Sequence, residues 1–354
     1  MSVVYKKLED VCEILDSRRV PITAKDRKAG AYPYYGANGL QDYVADYIFD
    51  DELVLLAEDG GNFGSKERPI AYRVSGKCWV NNHAHVLKAK PNMHVDYLCY
   101  ALMFYDTEGL VNGATRQKLT QAAMRQMVIP YRDMTEQLQI IEKISQIVRS
   151  IEKRKEELQL LDQLVKSRFI ELFGDYDLTH PQESWAPIKE VGTVVGGATP
   201  KTDHDEYWGG SYRWITPAEL DADSGYIYDS VRKLTKAGVE SCSLQEMPVG
   251  TVILSSRAPI GKVAIAGNTF YCNQGFKNII CKEGITPRYL YTVLLLNVEY
   301  LNSLGRGATF KEISKGIVES IRIPVPSMEL QEQFAAFVEQ TDKSKLCGKM
   351  EVAA

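Results

Sequence analysis

Side chains able to read base edges or hold phosphates recur along this chain. In duplex DNA, base edges are read by Arg, Lys, Asn, Gln and small hydroxyls, and phosphates by Arg, Lys and backbone N–H groups. The first half offers Arg18, Arg19, Asn38, Lys66, Asn81, Asn82, Thr115, Arg116 and Lys118. The second offers Ser256, Arg257, Lys262, Asn273, Gln274, Lys277, Thr309 and Lys311. Gly-Ala-Thr occurs at 113–115 and again at 307–309, where glycine would let backbone approach a phosphate closely. Taken singly, each of these residues reads equally well as a solvated cation or a turn polar group.

Catalytic signatures are missing. Gly261-Lys262 is followed by Val263, so there is no Walker A phosphate loop, and Gly60-Gly61-Asn62-Phe63-Gly64 lacks the GxGxxG spacing and reads as a turn. No proline precedes proline or aspartate, which removes the Asp/Asn-Pro-Pro-aromatic signature of amino-methyltransferases and the Pro-Asp signature of nucleases. HExxH and GxSxG are absent too. His83 and His85 would share one face of a strand near Cys78, but no fourth ligand is apparent and no metal is expected. The seven cysteines form no CxxC pair, so reduced thiols are expected.

Composition narrows the class. Apolar residues make up 45% and charged residues 25%, an ordinary globular mix. A formal net charge of −4 argues against a chain that binds nucleic acid alone through a broad basic face. No apolar run reaches the ~18–20 residues that span a bilayer, and Met1 to Leu15 carries no secretory h-region, so a cytoplasmic chain without membrane partners is expected.

The elements that must position these residues occur twice. Asn81-Asn82 follows a strand-like stretch and returns as Asn273-Gln274, 192 positions on. Tyr97-Leu98 returns as Tyr289-Leu290 at the same offset, whereas Gly113-Ala114-Thr115 and Ile129-Pro130 return at 194, and Leu8 to Val11 resembles Ile188 to Val191 at 180. One repeat is therefore a strand-rich block followed by a helix. Leu53 to Ala57 and Thr251 to Leu254 read as buried strands, Tyr97 to Phe104 and Tyr289 to Leu296 as short helices.

After the first block, Ile144, Ile151, Leu158, Val165 and Leu172 fall seven apart, with Ile140, Ile147, Arg154, Leu161 and Arg168 as the companion series. That is a heptad seam, ended by Gly174 as a C-cap. Leu330, Phe334, Phe337 and Val338 supply the matching seam after the second block. The expected architecture is α+β: two related globular domains at 1–133 and 175–326, a central helix at 134–174 and a shorter one at 327–354, the helices pairing antiparallel as a pseudo-twofold coiled coil. The tail from Leu346 to Met350 reads as a poor helix continuation, because Gly348 costs ~1 kcal/mol relative to alanine.

Ordered strings then become informative. Tyr-Pro-Tyr-Tyr-Gly-Ala-Asn-Gly at 32–39, Thr199-Pro200-Lys201, Tyr207-Trp208-Gly209-Gly210, Trp214 to Leu220 and Ser256 to Lys262 occur with a doubled Ile-Pro, Gln-bearing helix start, and Ser167-Arg168-Phe169 through Asp175 closes the central helix. In this order the chain resembles the specificity (S) subunits of type I restriction–modification enzymes over essentially its whole length. The resemblance implies two target recognition domains reading the halves of a split duplex DNA site, with the helices as spacers that dock two methyltransferase (M) subunits. Restriction (R) subunits would join through M. It also implies no catalytic residue and no cofactor on this chain. S-adenosylmethionine, ATP and Mg would be used by the partners in DNA methylation and phage defence.

In that family the second spacer usually matches the first in length. The seam around Ile140, Ile144 and Ile147 is therefore expected to be covered by another chain, either an M subunit or a second copy through self-association. Three other readings remain at this point: a stand-alone DNA-binding regulator derived from such a subunit, a coiled-coil interaction protein that does not bind DNA, and an enzyme whose site carries no recognisable motif.

Overall fold

The computed structural model describes residues 3–113, 116–220, 225–257, 259–307 and 311–353, with side chains through 346. The chain divides into two compact units, Met1–Glu152 and Lys153–Ala354, each with its own apolar cores.

Unit 1 runs β1 (Val4–Lys7), α1 (Leu8–Val11), β2 (Cys12–Ile14), β3 (Ala29–Gly36), β4 (Gly39–Val44), β5 (Phe49–Ala57), β6 (Ala71–Val80), β7 (Ala84–Ala89), α2 (Val95–Met103), β8 (Val111–Asn112), β9 (Lys118–Leu119), α3 (Gln121–Gln126) and β10 (Val128–Tyr131) into α4 (Met134–Phe173). Its main sheet has the order β2-β7-β5-β6-β3-β4. The run Leu53 to Ala57 is continuously apolar because both faces of β5 are covered. Val54 and Leu56 join α2 in one core, and Leu53 and Leu55 join Phe49, Val74 and Val86 in the other.

Unit 2 repeats the plan with β11 (Ala186–Pro187), α5 (Ile188–Val191), β12 (Gly192–Val195), β13 (Trp208–Ile215), β14 (Tyr226–Ile227), β15 (Arg232–Leu234), α6 (Lys236–Glu240), β16 (Val252–Leu254), β17 (Val263–Ala266), β18 (Tyr271–Cys272), β19 (Asn278–Cys281), α7 (Pro287–Leu296), α8 (Val298–Ser303), α9 (Lys315–Ser320), β20 (Arg322–Ile323) and α10 (Met328–Ala353). Its sheet begins β12-β19-β16-β17, the counterpart of β2-β7-β5-β6. In unit 1 the ten-residue β6 is unbroken, and Tyr34 of β3 pairs parallel with its far end at Trp79. In unit 2 the corresponding stretch splits at Gly267, where a Cβ would lie 2.5 Å from the Tyr228 ring. Its second part, β18, pairs parallel with β13 in a separate three-stranded sheet, Trp214 opposite Tyr271. The terminal strands close each block in the same way, β1 with β10 and β11 with β20, both antiparallel.

The 40 residues of α4 extend about 60 Å. Gly174 follows at φ +89°, its N–H bonded to Ile170 O, so the expected glycine C-cap is present. The second half of α4 lies antiparallel to α10: Phe169 and Phe173 meet Phe334, Arg168 lies over the Phe337 ring, and Asp162 pairs with Lys345 at 2.5 Å. Three expectations change. Phe169 and Phe173, not Arg168 and Leu172, are the deeply buried pair at this end. Ile140 packs with Ile141 on the core of unit 1 and needs no other chain there, whereas Ile147, 60% exposed, is left uncovered as expected. The helix α10 also continues through Gly348 to Ala353, since one glycine costs too little to end a helix already anchored by Phe334 and Val338.

The six cysteines with described side chains are unbridged. Among the described residues no helix is long and apolar enough to cross a membrane.

Candidate nucleic-acid interface

Asn81 and Asn273 begin the turns that leave β6 and β18. Asn81 N–H donates to Tyr35 O and Asn273 N–H to Ile215 O, at 3.0 and 3.1 Å. Each side-chain oxygen then accepts a backbone N–H two residues on, His83 at 2.8 Å and Gly275 at 2.9 Å. Asn81 is only 4% exposed and also bonds Gln41. Both asparagines are therefore Asx-turn residues of the scaffold, and the buried Asn81 is corrected from base reader to framework residue. The residue that follows each, Asn82 or Gln274, is exposed and differs between the units.

Around Asn82 the structure brings several nominated side chains together. Asn38 donates to Gly60 O at 3.0 Å, and Gly60, at φ +69°, donates its own N–H to Gln117 O. Arg116 pairs with Asp59 at 2.7 Å and lies 3.5 Å from His83 Nδ1. Lys118 reaches Glu58 at 3.2 Å, and both cations keep more than half of their side-chain surface exposed. Gly113 is a turn residue: at φ +104°, its absent Cβ leaves room for Arg116 O. Lys66 is exposed on the loop beyond Gly64. Arg18 lies over the Phe49 ring and donates to Ile48 O, apart from this group. Thr115 and Thr309 lie outside the described residues.

Beneath the group is a buried ionic cluster. Asp16 accepts from His85 Nδ1 at 2.6 Å, Val86 N–H at 2.8 Å and Gln121 Nε2 at 3.0 Å. His85 Nε2 lies 2.9 Å from Leu119 O. Arg19 binds Glu58 at 2.6 Å and Ala84 O at 2.7 Å, with Asp16 at 3.5 Å, so it braces the interior instead of facing DNA. Burial alone pushes the Asp16 carboxyl up, but the His85 bond and charge, the Val86 N–H and Arg19 together hold it below its ordinary value. Asp16, Glu58 and His85 are close enough to share a metal ion. Arg19 and Lys118 already supply the positive charge there. His83 turns to Asp59 and Cys78 is buried in the apolar cluster with Phe49, so the two histidines and Cys78 form no common site.

Unit 2 keeps the framework and inverts the charge. Glu58 N–H bonds His83 O and accepts Leu119 N–H at its carbonyl, and Ser256 makes the same two bonds with Gly275 and Ile313. The Lys118–Glu58 pair of unit 1 is replaced by Glu312 bonded to Lys277 at 3.1 Å, with Lys277 also 3.3 Å from Ser256 Oγ. Ser256 is fully buried, and Lys262 donates to Pro217 O and Leu220 O, so these two nominations, with Lys277, are structural. Outside them stand Gln274, bonded to Thr199 at 2.6 Å, Arg257, 3.9 Å from Glu312, and exposed Lys311.

Sequence reasoning missed Gln41 and Thr199, read His83 only as a possible metal ligand and not as part of a turn, and missed the flank formed by β13 and β15. There Arg232 lies 3.5 Å over the Trp208 ring, Arg213 pairs with Asp229, and Tyr212 is exposed. Aromatic and cationic spacing around 207–214 was the available signal. Arg116, Lys118, Arg257, Lys277 and Arg213 each have a carboxylate partner, so neither surface is a bare positive field.

The type I restriction modification DNA specificity domain matches this chain twice, over residues 2–161 and 183–348. The type I restriction enzyme MjaIX specificity subunit of Methanocaldococcus jannaschii is 42% identical over 185 residues, 51% of this chain and 43% of that protein, so the match spans less than half of the relative. A crystal structure of a type I restriction–modification S subunit from M. genitalium superposes over 100% of this chain and 92% of its own, with TM-score 0.59 and 13% identity. A chain from a structural study of complex assembly and conformational transition of a type I system covers 100% and 94%, with TM-score 0.60 and 15% identity. At those identities the two structures speak for the fold alone.

Proposed function

This chain belongs to the type I restriction modification DNA specificity family, and we propose on that footing that it reads a two-part duplex DNA site, one half with each block. One observation carries the reading. Framework positions are duplicated bond for bond, as at Asn81 and Asn273, while the exposed residues mounted on them differ, as at Asn82 and Gln274. Two copies of a scaffold carrying different polar sets suit two different short sequences. In unit 1 the readers are Asn38, Asn82, Arg116 and Lys118; in unit 2 they are Gln274, Arg257 and Lys311.

The chain contributes specificity and no catalytic group. Its helices carry two methyltransferase subunits and, through them, restriction subunits, in the cytoplasm where its DNA lies. S-adenosylmethionine, ATP and Mg act on those partners. Because Arg116, Lys118 and Arg257 are paired with Asp59, Glu58 and Glu312, the partners also supply part of the phosphate-contacting charge. The test is recovery of the tagged full chain from its host, native mass of the complex, and selection of randomised duplex DNA by that complex. Two methyltransferase chains per copy and one motif of two halves at a fixed gap are expected. Recovery alone, or no enriched DNA, contradicts the reading.

A further inference from the structure

Gln137 and Gln331 are both completely buried, each as the fourth residue of its helix, α4 or α10. Glutamine is mostly an exposed residue, and a buried amide is costly unless its oxygen and both N–H groups find partners. Here they do, in the same way twice. Gln137 Oε1 accepts His94 N–H at 2.8 Å, and its Nε2 donates to Asn92 O at 3.0 Å and Arg132 O at 2.8 Å. Gln331 Oε1 accepts Thr286 N–H at 2.8 Å, and its Nε2 donates to Gly284 O at 3.1 Å and Pro326 O at 2.9 Å.

His94 and Thr286 are the N-caps of α2 and α7. Each amide therefore ties the first turn of a long helix to the start of the helix that packs on the block's sheet, and to the segment entering its own helix. A second bond reinforces each tie: Tyr97 OH donates to Pro130 O at 3.1 Å, and Tyr289 OH to Pro324 O at 3.0 Å. Around these joints the sequences diverge, His94 against Thr286, Asn92 against Gly284 and Arg132 against Pro326, yet the three bonds persist because they run to backbone atoms.

We propose that Gln137 and Gln331 are positioning residues that hold each block at a fixed angle on its helix, and thereby set the gap allowed between the two half-sites. The proposal rests on the two-part reading given above. The mechanics are those of a lever. A play of about 5° at the root of a helix 60 Å long moves its far end by about 5 Å. That exceeds the ~3.4 Å rise of one base pair. A block that rocks on its helix would still recognise its own half-site but would accept several gaps.

The experiment uses the full chain with its accompanying methyltransferase subunits, and duplexes carrying the selected half-sites at the selected gap or one base pair longer or shorter. Gln137→Leu and Gln331→Leu are each expected to reduce the preference for the native gap by about tenfold, with the half-site letters unchanged. Val54→Ala, a core change elsewhere in block 1, is the control for stability loss; it should lower occupancy equally at all gaps. If Gln137→Leu fails to fold, Gln137→Glu keeps the acceptor for His94 while setting an acceptor against the two carbonyls, and should broaden the gap likewise. Variants that keep wild-type gap selectivity, or a control that broadens it equally, overturn the proposal. A wild-type complex that selects no two-part site overturns instead the reading on which it rests.

Discussion

Phe169→Ala should cost this chain about 3–5 kcal/mol, the range for truncating a fully packed phenylalanine. Phe169 is 1% exposed, with ring centroids 4.9 Å from Phe173, 5.4 Å from Phe334 and 5.7 Å from Tyr289. It joins α4, α10 and α7 in one knot, where the aromatic pairs contribute about 0.5–1.5 kcal/mol each beyond area burial. Its neighbours are rings fixed by three helices, so the cavity closes poorly. For a unit of this size the loss corresponds to a fall in melting temperature of roughly 6–20 °C. Calorimetry on the full chain measures it, and a loss below about 1 kcal/mol would mean the knot is not packed as described.

Asp16→Ala should cost a similar amount, and its cost should depend on pH. The carboxylate anchors His85, the Val86 N–H, Gln121 and Arg19 in an interior where Glu58 is the other acid. Removing one partner of a buried ionic cluster typically costs ~3–5 kcal/mol, because the remaining charges stay buried. Burial raises the Asp16 carboxyl, but its bonds to His85 and Val86 and the charge of Arg19 outweigh it, so the folded value lies below the ordinary 3.8. A depressed carboxyl contributes stability that is fully present above the unfolded value and lost as pH falls through the folded one. The gap between wild type and Asp16→Ala in urea midpoint should thus be full at pH 7 and shrink only below about pH 4. A gap already closing between pH 7 and pH 5 would refute that assignment.

The sequence made the architecture legible because each block repeats its punctuation. The strand runs at Leu53 and Val252, the helices at Tyr97 and Tyr289, and the Gly174 cap all stand where pattern placed them. The seam was legible in existence but not in phase. An α-helix drifts ~20° per heptad against a strict seven-residue repeat, so by the end of α4 burial has passed from Arg168 and Leu172 to Phe169 and Phe173.

The candidate site was less legible, for a different reason. Asn81, Ser256, Lys262, Lys277 and Arg19 are polar residues satisfied by partners distant in sequence: Gln41, Lys277, Leu220, Glu312 and Glu58. Nothing local distinguishes them from exposed readers. The pinned glutamines were visible only as helix-start residues, since their partners lie across the joint.

The measurement that bears most directly on the account is the exchange of residues 176–326 for the matching block of a relative with a different target, followed by DNA selection with the assembled complex. One half of the selected motif should change to the donor's, while the other half stays. If both halves change together, or neither does, the two blocks are not independent readers and the account is wrong.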